Sequence, residues 1–245
     1  MKRILLPLVI LGLPLLLGTD GKSTGEAPWR QLFNGRDLSG WQAIPAASAG
    51  DWSVKEGVIV GRGRQNRLSY LQWHETDLTD FELTLRYRIH GPGNTGIEIR
   101  AQSDPSGKRP FVGYHADLGH VGIGDHILGA WDFHFADRTE PPCRRSTRLT
   151  IERDGTLRTE TLQEAISLRA INDGDWNRVR VIARGDRFEF FINGKIASAF
   201  SDLHATGRLR SGAIALQIHD AGTRVDFADI RLRKFTAAEQ TGGKK

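Results

Sequence analysis

Three short segments of this 245-residue chain place pairs of chemically active side chains on one side of an extended backbone. In Gly96-Ile97-Glu98-Ile99-Arg100, strand alternation sets Glu98 and Arg100 opposite Ile97 and Ile99. In Gly113-Tyr114-His115-Ala116-Asp117, His115 and Asp117 share the side opposite Tyr114 and Ala116. In Ile214-Ala215-Leu216-Gln217-Ile218-His219, Gln217 and His219 share the side opposite the isoleucines and Leu216. Taken singly, such a pair is more often a solvated strand face or a salt bridge. As neighbouring strands, the three would line one polar groove with a base, an acid, cationic stabilisers and metal ligands.

Other suggestive spacings do not survive their context. Gly91-Pro92-Gly93-Asn94-Thr95-Gly96 has the spacing of a dinucleotide fingerprint, but it joins two strands and opens no helix. His74-Glu75 lacks the second His of a zinc-protease motif, because position 78 is Leu. Glu75-Thr76-Asp77-Leu78-Thr79-Asp80 comes close to a glycosidase carboxylate strand, yet its composition is that of a turn. Gly21-Lys22-Ser23-Thr24-Gly25 imitates a nucleophile elbow with no flanking strand or helix.

The elements that must position the three segments are strands. Phe81, Leu83, Leu85, Tyr87 and Ile89 alternate with polar residues, as do Val179 and Val181 with arginines. Asn193-Gly194 predicts a tight hairpin, and two more are expected around Glu56-Gly57 and Asp154-Gly155. About a dozen short strands in all, and no apolar stripe at helical spacing, require two sheets packed face to face. The expected fold is therefore all-β, a sandwich of two antiparallel sheets forming one domain over residues 29–235. Gly119 to Ser146 breaks the rhythm as a long Gly- and Pro-rich loop carrying His120, His126, Trp131, Asp132 and His134. It is expected to wall a groove.

Lys2-Arg3 and the fourteen-residue apolar run Ile4–Leu17 are expected to form a signal peptide over residues 1–20. That run is short for a membrane span, so the mature form is expected to be secreted or periplasmic without one. Residues 21–28 read as a linker and residues 236–245 as a polar tail. The single Cys, Cys143, cannot close an intrachain disulfide, and it excludes multi-Cys metal sites. The net charge of +5 is spread along the chain without an aromatic-interleaved basic stripe, so nucleic acid is not an expected partner.

Leu32-Phe33-Asn34-Gly35-Arg36-Asp37-Leu38-Ser39-Gly40-Trp41 opens an ordered series of short motifs. The series continues through Trp52 to Gly61, Asp80-Phe81-Glu82-Leu83, Gly93-Asn94-Thr95-Gly96-Ile97, Gly113-Tyr114 and Trp176-Asn177. Asn193-Gly194-Lys195, Gly212 to His219 and Phe227 to Leu232 complete it. In order and spacing this resembles the 3-keto-disaccharide hydrolase domain family, concanavalin A-like jelly-roll sandwiches common in exported bacterial proteins. Two departures stand out: Thr95 where the family usually has Ser, and His115 where it usually has Glu or Gln.

The resemblance implies a carbohydrate substrate already oxidised to a ketone at sugar carbon 3. That ketone acidifies the hydrogen at carbon 2, so a base can start an elimination that expels the glycosidic oxygen from carbon 1, with water adding afterwards. On this reading Glu98 or Asp117 is the base, and Arg100, His115 and His219 are electrophilic or proton-relay partners. Gln217, Tyr114 and Trp131 would contact the sugar, the aromatics by stacking. A divalent cation on Asp117, Glu98 and a His is compatible with the donor types, though no spacing demands one. The chemistry also implies a sugar-oxidising dehydrogenase as functional partner. The competing class is a non-catalytic carbohydrate-binding module on the same fold.

Overall fold

The computed structural model describes residues 27–64, 68–119 and 126–236. The expected signal peptide, most of the linker, the tail beyond residue 236 and His120 lie outside the described residues. Among the described residues no helix is long and apolar enough to cross a membrane.

Strands dominate. They are β1 (Arg30–Gln31), β2 (Trp41–Ile44), β3 (Trp52–Lys55), β4 (Val58–Arg62), β5 (Ser69–Trp73), β6 (Phe81–Ile89), β7 (Thr95–Ser103) and β8 (Phe111–Gly119). There follow β9 (Trp131–His134), β10 (Thr147–Ile151), β11 (Leu157–Thr161), β12 (Asn177–Arg184), β13 (Arg187–Ile192), β14 (Lys195–Asp202), β15 (Ala213–Ile218) and β16 (Arg224–Lys234). One sheet runs β11-β10-β14-β13-β12-β6-β16-β4-β3, with β1 paired to β16, and the other runs β2-β5-β15-β7-β8-β9.

All three expected hairpins form, as β3–β4, β10–β11 and β13–β14. At the last, Asn193 and Gly194 have φ of 49° and 81°, the left-handed pair that a two-residue hairpin needs. One pairing departs from the purely antiparallel expectation: β10 lies parallel to β14. Because β13 already holds one edge of β14, the β10–β11 hairpin docks on the other edge in the direction its connection dictates.

The inner faces interlock as the alternation predicts. Leu83, Leu85, Tyr87, Val179, Val181, Phe188 and Phe190 of the larger sheet meet Ile97, Ile99, Ala116, Ile214 and Leu216 of the smaller. Tyr114 and Trp131 belong to this core and are fully buried, which corrects their expected role as sugar-stacking platforms. The Tyr114 ring lies 4.7 Å from that of Phe188, and its hydroxyl donates to Asp202 at 2.7 Å. Trp131 packs on Phe200 at 5.1 Å. Each occupies the alternate position to a groove residue, so the same geometry that turns its neighbour toward the groove turns it into the core. The free thiol of Cys143 is buried as well.

Gly119 to Ser146 is not simply a long loop. Four of its residues form β9, which pairs antiparallel with β8 and finishes the edge of the smaller sheet.

Candidate functional site

On the outer face of the smaller sheet, cross-strand register sets Glu98 of β7 beside His115 of β8, and His115 beside Asp132 of β9. Gly113 faces His134 one row along. Glu98 is wholly buried, and both imidazoles close on it. His115 Nδ1 lies 2.9 Å from Glu98 Oε2, while His134 Nδ1 lies 3.2 and 3.0 Å from the two oxygens. A carboxylate only accepts, so each ring carries its proton on Nδ1 and donates to Glu98. The two rings stack 5.0 Å apart.

Two glycines make this crowding feasible. A Cβ on Gly113 would stand 2.2 Å from Glu98 Oε1, and one on Gly96 would stand 2.2 Å from His115 Nε2 and 2.7 Å from the Ala116 carbonyl. Gly96→Ala is therefore expected to cost about 1–3 kcal/mol, because rigid backbone blocks the new methyl. Gly113→Ala should cost a similar amount, since the side chain that must yield is the buried Glu98, held at both oxygens by imidazoles; denaturant unfolding of the two variants checks it.

Charges within the cluster set one another. Burial pushes the Glu98 carboxyl up, but the charge and hydrogen bonds of His134 and His115 outweigh it and bring the pKa to about 2. Burial disfavours a charged His134, yet Glu98 and Asp132 together raise its pKa to about 10. Asp132, whose carboxylate lies 3.6 Å from His134 Nε2, is held at about 2 by that imidazole against the effect of burial.

Asp117 differs. Burial raises its pKa to about 7, with Asp132 and Glu98 adding repulsion and the two imidazoles restraining the rise. Among the described residues no hydrogen bond reaches its carboxylate, and His115 Nε2 stands 3.6 Å away.

These groups open into a cavity of about 450 Å3. Tyr70, Asn94 and Gln217 line it, with Lys108, Arg109 and His219 also bordering it. Gln217 donates to the Tyr70 hydroxyl at 3.1 Å. Gln217 Oε1 and Asn94 Oδ1 are buried, with no hydrogen-bond partner among the described residues. His219 is largely exposed and turns toward Asp220, 2.6 Å from its Nδ1.

Of the residues singled out from sequence, Glu98, His115, Asp117, Gln217 and His219 converge here. Arg100 does not. Its φ is 48° and it sits in a bulge, where Ile99 pairs with Tyr114 but Gln102 with Val112. The extra residue reverses the alternation and sends the guanidinium inward, over the Phe188 ring at 4.7 Å and onto the Leu209 carbonyl at 2.7 Å. His134 and Tyr70 join the site without having been among its expected residues. For His134 the signal was the alternation in Trp131-Asp132-Phe133-His134.

Among the described residues the site offers one metal-type donor set. Ligand atoms of Glu98, His115 and His134 all lie within 4.8 Å of one another. Two imidazoles and a carboxylate suit several divalent cations, and the third member is His134 rather than the expected Asp117.

Similar solved structures carry the same sandwich. A candidate glycosyl hydrolase from Parabacteroides distasonis ATCC 8503 superposes with a TM-score of 0.59 at 20% identity, covering 85% of this chain and 94% of that one. A Bacillus subtilis protein of unknown function with a galectin-like fold gives 0.53 at 14% identity, covering 84% and 94%. The carbohydrate-binding module CBM66 of Bacillus subtilis gives 0.50 at 16% identity, covering 80% and 96%. No curated protein sequence matches this chain. The family comparison is more specific, for residues 28–233 match the 3-keto-alpha-glucoside-1,2-lyase-like domain, and the chain belongs to that family.

Proposed function

We propose that the protein cleaves glycosides bearing a ketone at carbon 3 of the sugar, by elimination followed by hydration. The observation that carries this reading is a buried carboxylate, Asp117, with no hydrogen bond among the described residues, beside a carboxylate–imidazole cluster in a sugar-sized cavity. Asp117 takes the proton from carbon 2, and the electron pair of that bond forms an enolate with the carbon 3 ketone. His134, held protonated by Glu98 and Asp132, supplies the positive charge that the enolate oxygen needs, with the His115 ring stacked beside it. The enolate then expels the oxygen on carbon 1, leaving a double bond between carbons 1 and 2. Protonated Asp117 returns its proton to the departing oxygen, so the proton count closes within the pocket. Water adds across the double bond, hydroxyl to carbon 1 and hydrogen to carbon 2.

Glu98 serves better as the anchor of the imidazoles than as the base, because both its oxygens are engaged. The acceptors Gln217 Oε1 and Asn94 Oδ1, without partners among the described residues, require donors, and sugar hydroxyls supply them. A divalent cation held by Glu98, His115 and His134 would displace ring protons and supply the same positive charge as a Lewis acid at the carbon 3 ketone. Export and a dehydrogenase that makes the keto sugar belong to the same proposal, because a cell must deliver an oxidised glycoside to this pocket.

The test is turnover of 3-keto-trehalose against trehalose in D2O, followed by NMR. Cleavage of the keto sugar alone, with deuterium at carbon 2 of the product, is the expected result. Binding without cleavage would instead identify a carbohydrate-binding module, and cleavage without deuterium would exclude elimination.

A further inference from the structure

At the centre of the larger sheet, three strands carry arginine at alternate positions: Arg86 and Arg88 on β6, Arg178 and Arg180 on β12, and Arg231 and Arg233 on β16. With Leu85, Tyr87, Val179, Val181 and Leu232 buried between them, all six project from the outer face. Register places Arg178 opposite Arg86, and sets Arg180 and Arg231 on either side of Thr84. Six arginines that look scattered along the sequence are thus gathered on one surface, away from the carboxylate–imidazole pocket.

The surface is concave. A groove of about 580 Å3 is lined by Arg86, Arg178, Arg180, Arg231, Phe191 and Asp229, among others. Like charges facing each other across strands repel, so an uncompensated arrangement of this kind is unfavourable unless anions fill it. The protein compensates only part of it. Asp229 pairs with Arg86 at 2.6 Å, and Glu82 is shared by Arg180 and Arg233. Among the described residues Arg178 and Arg231 have no carboxylate partner, and Arg231 reaches only the amide oxygen of Gln31 at 3.0 Å.

Aromatic rings in this region are already capped. Arg180 lies 5.1 Å from the Phe191 ring, and Arg86 and Arg88 each lie 4.8 Å from that of Trp176. Capping holds the guanidinium planes in place and withholds the flat ring faces that nucleic-acid bases would need for stacking. What remains available is a row of planar N–H forks, which match carboxylates in two-point contact.

We propose that this groove is a second ligand site, which binds a carboxylate-bearing polysaccharide, a uronate chain. A chain held there would leave the pocket on the opposite sheet open. The site stands independently of the reaction proposed above.

Calorimetric titration with a galacturonate hexamer tests it, with maltohexaose and a single-stranded DNA of equal charge as comparators. The hexauronate should bind, weakening with added salt. Arg178→Gln with Arg231→Gln should reduce its affinity by at least about tenfold, since two charge-assisted contacts are lost. Both positions are exposed, and an unchanged denaturation curve would show that the doubly substituted protein remains folded. Equal binding of maltohexaose, undiminished binding by the double variant, or tighter binding of DNA would each overturn the proposal.

Discussion

Asp117→Asn is expected to lower kcat on a 3-keto glycoside by about 10²- to 10⁴-fold while KM stays within about twofold. The substitution keeps the shape of the side chain and removes only its capacity to take a proton. Asp117 lies on β8, two residues from His115, with no hydrogen bond to its carboxylate among the described residues. An amide there therefore breaks no native hydrogen bond, and the loss should fall on the chemical step. Glu98→Gln should behave differently. It weakens the counter-charge that keeps His134 protonated, so both kcat and KM should change as the imidazoles shift. Retention of full rate by Asp117→Asn, or failure of that variant alone to bind substrate, would place the base elsewhere. Exchange of the carbon 2 hydrogen with solvent, followed separately from bond cleavage, identifies the step affected.

Much of this site was legible because a strand has a period of two. Once Glu98, His115, Asp117 and Gln217 lie on extended segments, the aliphatic residues between them determine which side faces the core. Alternation also fails where the backbone inserts a residue. Nothing in Ile99-Arg100-Ala101-Gln102 announces the bulge that turns Arg100 inward, because Arg at positive φ has no strong sequence signal. The opposite failure affects β9. Four residues are too few for their alternation to stand out from a Gly- and Pro-rich surrounding, so His134 was read as part of a loop. Pairing of β7 with β15 is non-local, and only the folded sheet brings Tyr70 of β5 against Gln217. The arginine ladder has the same origin, since residues 86, 178 and 231 meet only through strand order.

The same Asp117→Asn variant should be more stable than the parent protein at neutral pH, by an amount on the order of 3 kcal/mol in the metal-free state. Burial lifts the Asp117 carboxyl to about 7, whereas the unfolded chain holds it near the ordinary value of about 4. Below pH 4 the group is neutral in both states and contributes no difference. Between pH 4 and 7 the unfolded chain ionises first, which draws the equilibrium toward unfolding. Above pH 7 the destabilisation is complete. Asparagine removes this dependence, while the effects of Glu98, Asp132 and His134 are largely common to both proteins and cancel in the comparison. Denaturant unfolding of both proteins in chelator at pH 4 and pH 8 should show a gap that opens only at the higher pH. A structural carboxylate would give the reverse, a variant that is less stable at pH 8. A gap of equal size at both values would mean that Asp117 is not strained by its burial. Loss of turnover together with gain of stability in one substitution is the signature of a group kept in an unfavourable place for its chemistry.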